Sequence, residues 1–203
     1  MKIRTTATAA ITLAAALTLA GCAGGTGSES MPGMDHGNSS APSSSSAGTA
    51  DVNDADVMFA QMMIPHHEQA VEMSDMILDK EGIDPAVLTL ASEIKAAQQP
   101  EIDQLHLWLD EWGADSDTGA VGGMDHGGGM MSDDDMATLD AATGAEASRL
   151  FLEQMTMHHE GAITMAHDEV DNGQNPDAIA MAQTIIDTQT TEIATMQELL
   201  GSL

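Results

Sequence analysis

From Asp51 onward, apolar residues recur at intervals of three and four. Val57, Phe59, Met62, Met63, Ala70, Val71, Met73, Met76 and Ile77 trace one such face, which predicts a helix to about Leu78. Gly82 interrupts it, and Asp84-Pro85 reads as an N-cap with proline at the first helical position. The helix opened there runs to Trp112 and stops at Gly113. Residues 113–131 are a Gly-rich loop, and 132–141 fit a short helix. Thr143, with Glu146 three residues on, has the form of a capping box for a third long helix to about Asp171. Gly173 breaks it, and Asn175-Pro176 opens a fourth that reaches the C-terminus. Alternating β-branched runs are absent, so the fold class is all-α. Pro65 and Pro100 fall inside helices, where each removes a backbone hydrogen bond and predicts a kink.

The pattern repeats. Phe59-Ala-Gln-Met-Met63-Ile-Pro-His66-His67-Glu68 matches Phe151-Leu-Glu-Gln-Met155-Thr-Met-His158-His159-Glu160 at an offset of 92, through Ala70/Ala162 and Met73/Met165. The second helices match at an offset of 91, pairing Gln98, Glu101 and Ile102 with Gln189, Glu192 and Ile193. Two helix hairpins with short turns predict an up-down four-helix bundle with pseudo-two-fold symmetry. Repeat one covers 52–112 and repeat two 132–203, joined by the loop at 113–131.

At about 100° per residue, with Ala70 at the origin, Met63 falls near +20°, His66 near −40°, His67 near +60° and Met73 near −60°. These four share one face with Ala70. Met155, His158, His159 and Met165 share the matching face around Ala162. Two readings compete. Methionine at helical spacing is ordinary core filler. But packing would accept Leu or Ile at these places, and both halves keep Met, His, His and Met. Histidines turned into a bundle are costly unless hydrogen-bonded or metal-bound, which favours these eight residues as ligands. Glu101 and Glu192, on the partner helices, are placed to accept the second ring N–H of the histidines from behind a metal. The alternative for both is a solvated helix face.

The chain before Asp51 is an address. Lys2 and Arg4 precede an uncharged apolar run from Ala7 to Ala20, which predicts a signal peptide over 1–21. Leu19-Ala20-Gly21-Cys22 resembles the bacterial lipobox, making Cys22 the acylated (palmitate-type) first mature residue. Residues 22–50 are rich in Gly, Ser, Ala and Pro and predict a disordered tether. Its reach is about 30 Å. The expected location is outside the cytoplasm, lipid-anchored to a bacterial membrane, with inner and outer membrane both open.

Composition narrows the function. With 5 Lys+Arg against 33 Asp+Glu, the chain has almost nothing to neutralise phosphates, which excludes a nucleic-acid binder. Loss of Lys2 and Arg4 with the leader leaves 3 basic residues and a net charge of −30. Cys22 is the only cysteine, so multi-thiolate zinc and iron–sulfur sites are excluded and soft ligands must be thioethers. Methionine supplies 17 residues and histidine 8. Thioether with imidazole selects Cu(I), with Ag(I) as its mimic. Met-Asp-His-Gly occurs at Met34–Gly37 and at Met124–Gly127, the second followed by Met130 and Met131. These segments have no core to fill. Met34, His36, Met124, His126, Met130 and Met131 are therefore secondary ligand candidates, against chance in Met-rich sequence.

A di-iron oxidoreductase would need Glu-x-x-His on two helices. The chain offers Asp103-x-x-His106 once and nothing matching in the fourth helix. No nucleophile set or phosphate loop is present, so no catalytic residue is assigned and a binding protein is favoured over an enzyme. A structural lipoprotein with a His/Met dimer seam is the remaining alternative.

The segments Met63-Ile-Pro-His66-His67-Glu68-Gln69-Ala70-Val71-Glu72-Met73 and Met155-Thr-Met-His158-His159-Glu160-Gly161-Ala162-Ile163-Thr164-Met165 resemble the domain-of-unknown-function family 305, over about residues 52–203. The resemblance implies a ferritin-like four-helix bundle, commonly exported. It also implies periplasmic copper binding and tolerance, with His and Met as ligands at the eight matched positions. The expected partners are a metal ion, the membrane through the anchor, and a copper exporter or other copper protein. A homodimer is open.

Overall fold

The computed structural model describes residues 51–115 and 128–203. The leader, Cys22, the tether and the candidates Met34, His36, Met124 and His126 lie outside these residues. Five helices follow in order: α1 Asp54–Leu78, α2 Pro85–Trp112, α3 Asp133–Ala141, α4 Gly144–Asn172 and α5 Pro176–Ser202. No strand occurs among the described residues.

The helix ends follow local chemistry. Asn53 Oδ1 accepts from the N–H groups of Ala55 and Asp56 at 2.8 and 3.1 Å, and Asp56 reaches back to the Asn53 N–H at 2.6 Å. This reciprocal box satisfies donors that the first turn leaves free. Asp84 caps α2 through Ala86 N–H at 2.8 Å, with Pro85 at the first position. Asn175 caps α5 in the same way. At the end of α2, Gly113 takes φ 66°, and the N–H groups of Gly113 and Ala114 return to the carbonyls of Asp110 and Leu109. That is the paired closure expected of a C-terminal glycine.

One expectation changes. Thr143 makes no side-chain cap to α4. Gly144, the first helical residue, has φ +55°, so the chain enters the helix through a left-handed residue. A box needs the first turn to be right-handed, so that the third N–H faces the cap. The α1–α2 turn meets the start of α4 there: a Cβ on Gly82 would lie 3.6 Å from the Gly144 Cα, in ordinary contact. Pro65 and Pro100 both sit inside unbroken helical spans.

α1 pairs with α2, α4 pairs with α5, and the hairpins join mainly through α1 against α4. These central helices run antiparallel. Asp56, at the start of α1, accepts from the N–H groups of Gln174 and Asn175 in the α4–α5 turn at 2.9 and 2.8 Å. Ser148, near the start of α4, accepts from Asp84 N–H in the α1–α2 turn at 3.2 Å. Asp56 and Ser148 are repeat mates, as are Asn175 and Asp84, so the hydrogen bonds obey the pseudo-two-fold axis.

The core divides into two apolar clusters. One gathers Ile77, Val87, Ile94, Leu139 and Phe151 at the end where α3 lies. The other gathers Phe59, Ile64, Leu105, Trp108 and Ile185 at the opposite end. Along α1, His66 and His67 fall between Ile64 of the second cluster and Ala70 of the first. Along α4, His158 and His159 fall between Met155 and Ala162. The bundle thus carries a polar layer between two oily ends.

Candidate metal centre

All four histidines of the layer are buried, at 0 to 1% exposure. The helical pitch turns each adjacent pair inward, and the antiparallel crossing of α1 and α4 brings the pairs together. The rings of His66 and His158 have centroids 3.7 Å apart, with planes at 42°.

Their outer nitrogens are tied down. His67 Nε2 lies 2.9 Å from Glu101 Oε2 on α2, and His159 Nε2 lies 2.7 Å from Glu192 Oε2 on α5. His66 Nε2 lies 2.8 Å from the carbonyl of Gly128. Carbonyl and carboxylate oxygens accept, so each of these three imidazoles carries its proton on Nε2. The Nδ1 atoms of His66, His67 and His159 are buried and without a partner. Both ring nitrogens of His158 are without a partner as well. Unpaired nitrogens at such depth are costly, and a metal is one way of satisfying them.

Burial, reinforced by the neighbouring His67, pushes His66 down to about 3, although its bond to Gly128 acts the other way. Burial and the three other imidazoles push His158 well below the usual histidine range. Both are neutral at pH 7, the form in which imidazole binds metal. Among the described residues, no three His, Cys, Asp or Glu side chains are arranged to hold one metal ion. An interior site therefore needs thioether donors beside the imidazoles.

Those donors adjoin the layer. Met63, Met73 and Met155 are all fully buried. Met63 belongs to one cluster, and Met73 and Met155 to the other, so buried methionines flank the layer on both sides. Met165 differs: it is only partly buried, and its sulfur lies against Gly128.

A strap formed by residues 128–131 crosses this layer. The Gln69 amide holds Met131 at both backbone groups, donating to its carbonyl at 2.9 Å and accepting its N–H at 2.7 Å. In repeat two the place of Gln69 is taken by Gly161. A Cβ there would meet the Gly128 oxygen at 1.8 Å, so only glycine admits the strap. Met131, expected to be an unpacked loop methionine, packs against the first cluster, so the core accounts for it. Met130 is partly buried beside Gln69. Met58, by contrast, is 48% exposed.

Three polar features escaped the helical pattern. Gln98 is buried with neither side-chain atom partnered, and the oxygen of its mate Gln189 is also without a partner. The strap was signalled only by Gly161 standing where the repeat has Gln69. The third is Glu169, at 1% exposure, beside Asp56. Burial pushes Asp56 up, but bonds from the backbone of Asn53 and Asn175, then from Glu169 and Gln174, outweigh it and hold Asp56 below its usual range. Burial, with the hydrogen bond to and the charge of Asp56, raises Glu169 to about 8. The pair shares one proton, carried by Glu169. Its repeat mate is Ile77, an apolar residue equally buried in the other half.

A bundle of two helix hairpins around a buried His/Met layer defines the class of protein. The family described as Domain of unknown function (DUF305) matches residues 56–200, and the chain belongs to that family. A DUF305 protein from Streptomyces coelicolor, described as secreted, is 32% identical, with 73% of this chain and 93% of that one covered at a TM-score of 0.68. CopM in its Cu(I)-bound form is 28% identical, with 72% and 96% covered at a TM-score of 0.61, and it is also known in Cu(II)-bound and Ag-bound forms. Uncharacterized protein L153 of Acanthamoeba polyphaga mimivirus is 39% identical over 56 residues, 28% of this chain. The match spans about a third of that protein, 36% of its length.

Proposed function

We propose that this chain is an exported, lipid-anchored binder of Cu(I), with Ag(I) as a second guest, that sequesters the ion or passes it on. The observation that carries the reading is the set of buried, unpartnered Nδ1 atoms on His66, His67 and His159, in a layer flanked by clusters that hold the buried thioethers of Met63, Met73 and Met155. Their Nε2 atoms are held by Glu101, Glu192 and Gly128, which orients each ring as a carbonyl or carboxylate behind a metal-binding histidine does. The absence of any thiolate fits a thioether–imidazole site. The copper and silver forms of CopM, at 28% identity, support the same chemistry. The Streptomyces relative supports export, and Leu19–Cys22 the anchor.

Binding is favoured over di-iron catalysis. Asp103 and His106, the one Asp-x-x-His of the chain, both face outward on α2. The test is a Cu(I) titration of the purified protein against a competing chelator. Wild type is expected to bind well below micromolar. Joint replacement of Met63, His67, Met155 and His159 should abolish that binding, and M63L/M155L, which conserves volume, should weaken it at least tenfold. Micromolar binding in wild type, or no loss in either variant, would overturn the reading. Iron retained through purification, with oxidase activity, would favour the enzyme.

A further inference from the structure

The second apolar cluster ends in a surface cleft of about 480 Å³, where α1 begins and α4 finishes. Three methionines line it: Met58 and Met62 on α1, and Met165 on α4. Met58 is 48% exposed, and Met62 and Met165 are partly buried. Phe59 forms part of the wall, and the carboxylates of Asp54 and Asp168 stand exposed at the rim.

The pseudo-two-fold axis supplies a control. The repeat mates of Met58, Met62 and Met165 are Leu150, Gln154 and Met73. At that end α3 lies over the bundle: Gln154 donates to the Asp135 carbonyl at 3.1 Å, Leu139 is fully buried, and Met73 is sealed in the core. The apolar positions there are explained by packing. At the cleft, no described helix takes the place of α3. Where repeat two uses Leu150 and Gln154, repeat one presents two thioethers to solvent. Exposed methionine has no packing role and is open to oxidation.

We propose that Met58, Met62 and Met165 form a surface binding site for a soft monovalent ion, Cu(I) or Ag(I). Residues 58 and 62 are four apart, so their Cβ atoms stand about 5–6 Å from one another on one face of α1. Unbranched thioether side chains can close that separation onto one ion. Met165 approaches from the facing helix. Sulfur selects soft ions over calcium, magnesium and zinc, and the rim carboxylates raise the local cation concentration. The cleft approaches the layer behind it: a Cβ on Gly128 would stand 3.7 Å from the Met165 sulfur, and the Gly128 carbonyl accepts from His66. The proposal rests on the soft-metal reading above but uses none of its histidines.

The test is a titration of the intact protein, labelled with methyl-¹³C methionine, with silver nitrate as the redox-inert probe. The Met58, Met62 and Met165 methyl signals are expected to move together within the first equivalents. M58L/M62L, with an unchanged circular dichroism spectrum, should bind one equivalent fewer while Met63 and Met155 still respond. If Met63 and Met155 respond while Met58 and Met62 stay still, the cleft site is wrong and the interior site stands. If the three cleft signals move and the interior ones do not, the cleft site stands and the interior reading fails. Silver that moves no methionine signal sinks both.

Discussion

Glu169 shows how one residue sets a pH dependence. Its carboxyl is raised from the ordinary 4.5 to about 8, so the folded protein holds that proton more tightly than the unfolded chain does. A group raised in this way contributes fully to stability below about 4.5, and the contribution is lost as pH rises through about 8. At about 1.4 kcal/mol per pH unit, the swing is a few kcal/mol at most. Glu169→Gln cannot ionise and keeps a donor for Asp56. Urea unfolding from pH 4 to 9 should therefore show the variant near wild type at pH 4 and more stable by roughly 1–3 kcal/mol at pH 9. Parallel curves would show that Glu169 titrates normally. Gly173 belongs to the same corner. A Cβ on it would stand 2.3 Å from Glu169 Oε1 and 2.6 Å from the Glu169 carbonyl oxygen. Gly173→Ala should cost about 1–3 kcal/mol, because backbone as well as side chain must shift; a melting curve that matches wild type would refute the contact.

At the scale of elements, the strap over the histidine layer depends on two unlike residues at one repeat position. Gln69 grips Met131 from α1, and Gly161 makes room for Gly128 and Gly129 on α4. Gly161→Ala should expel residues 128–129, lower stability by about 1–3 kcal/mol, and release His66 Nε2 from the Gly128 carbonyl. Nitrogen-15 spectra of the histidine rings would show it: His66 should lose its fixed tautomer, while His67 and His159 keep theirs on Glu101 and Glu192. Unchanged His66 signals would count against the strap as the element that orients it. The long helices were legible because their stops are chemical: Gly113, Pro85 and Pro176 act on the backbone alone. The inward face of Met63, His66, His67, Ala70 and Met73 was legible because helical pitch is constant. The cap of α4 misled, because the Thr143–Glu146 spacing says nothing about the φ of Gly144. The burial of Met131 and the exposure of Met58 were not legible, since each depends on where α3 lies over one end of the bundle and not the other.

Across the whole molecule, the two halves share the hydrogen bonds that tie the hairpins at their turns and differ in what they expose. Asp56 and Ser148 tie the hairpins at equivalent points, and one end is then closed by α3 while, among the described residues, the other end carries a methionine-lined cleft. Such an arrangement separates folding from loading. The apolar clusters at the two ends hold the bundle together, and the histidine layer between them contributes unpaired nitrogens that cost stability until something binds them. A ligand that binds only the folded state adds about 2.7 kcal/mol when its free concentration is a hundred times its Kd. For a folded region of this size each kcal/mol is worth about 2–4 °C, so buffered Cu(I) at that level should raise the melting temperature by roughly 5–11 °C. The rise should reverse on adding a Cu(I) chelator. It should shrink in M63L/M155L, which alters the layer, and persist in M58L/M62L, which alters only the cleft. Differential scanning calorimetry of the three proteins, with and without buffered Cu(I), measures all of this. An equal rise in M63L/M155L and wild type would mean that the ion does not bind at the layer.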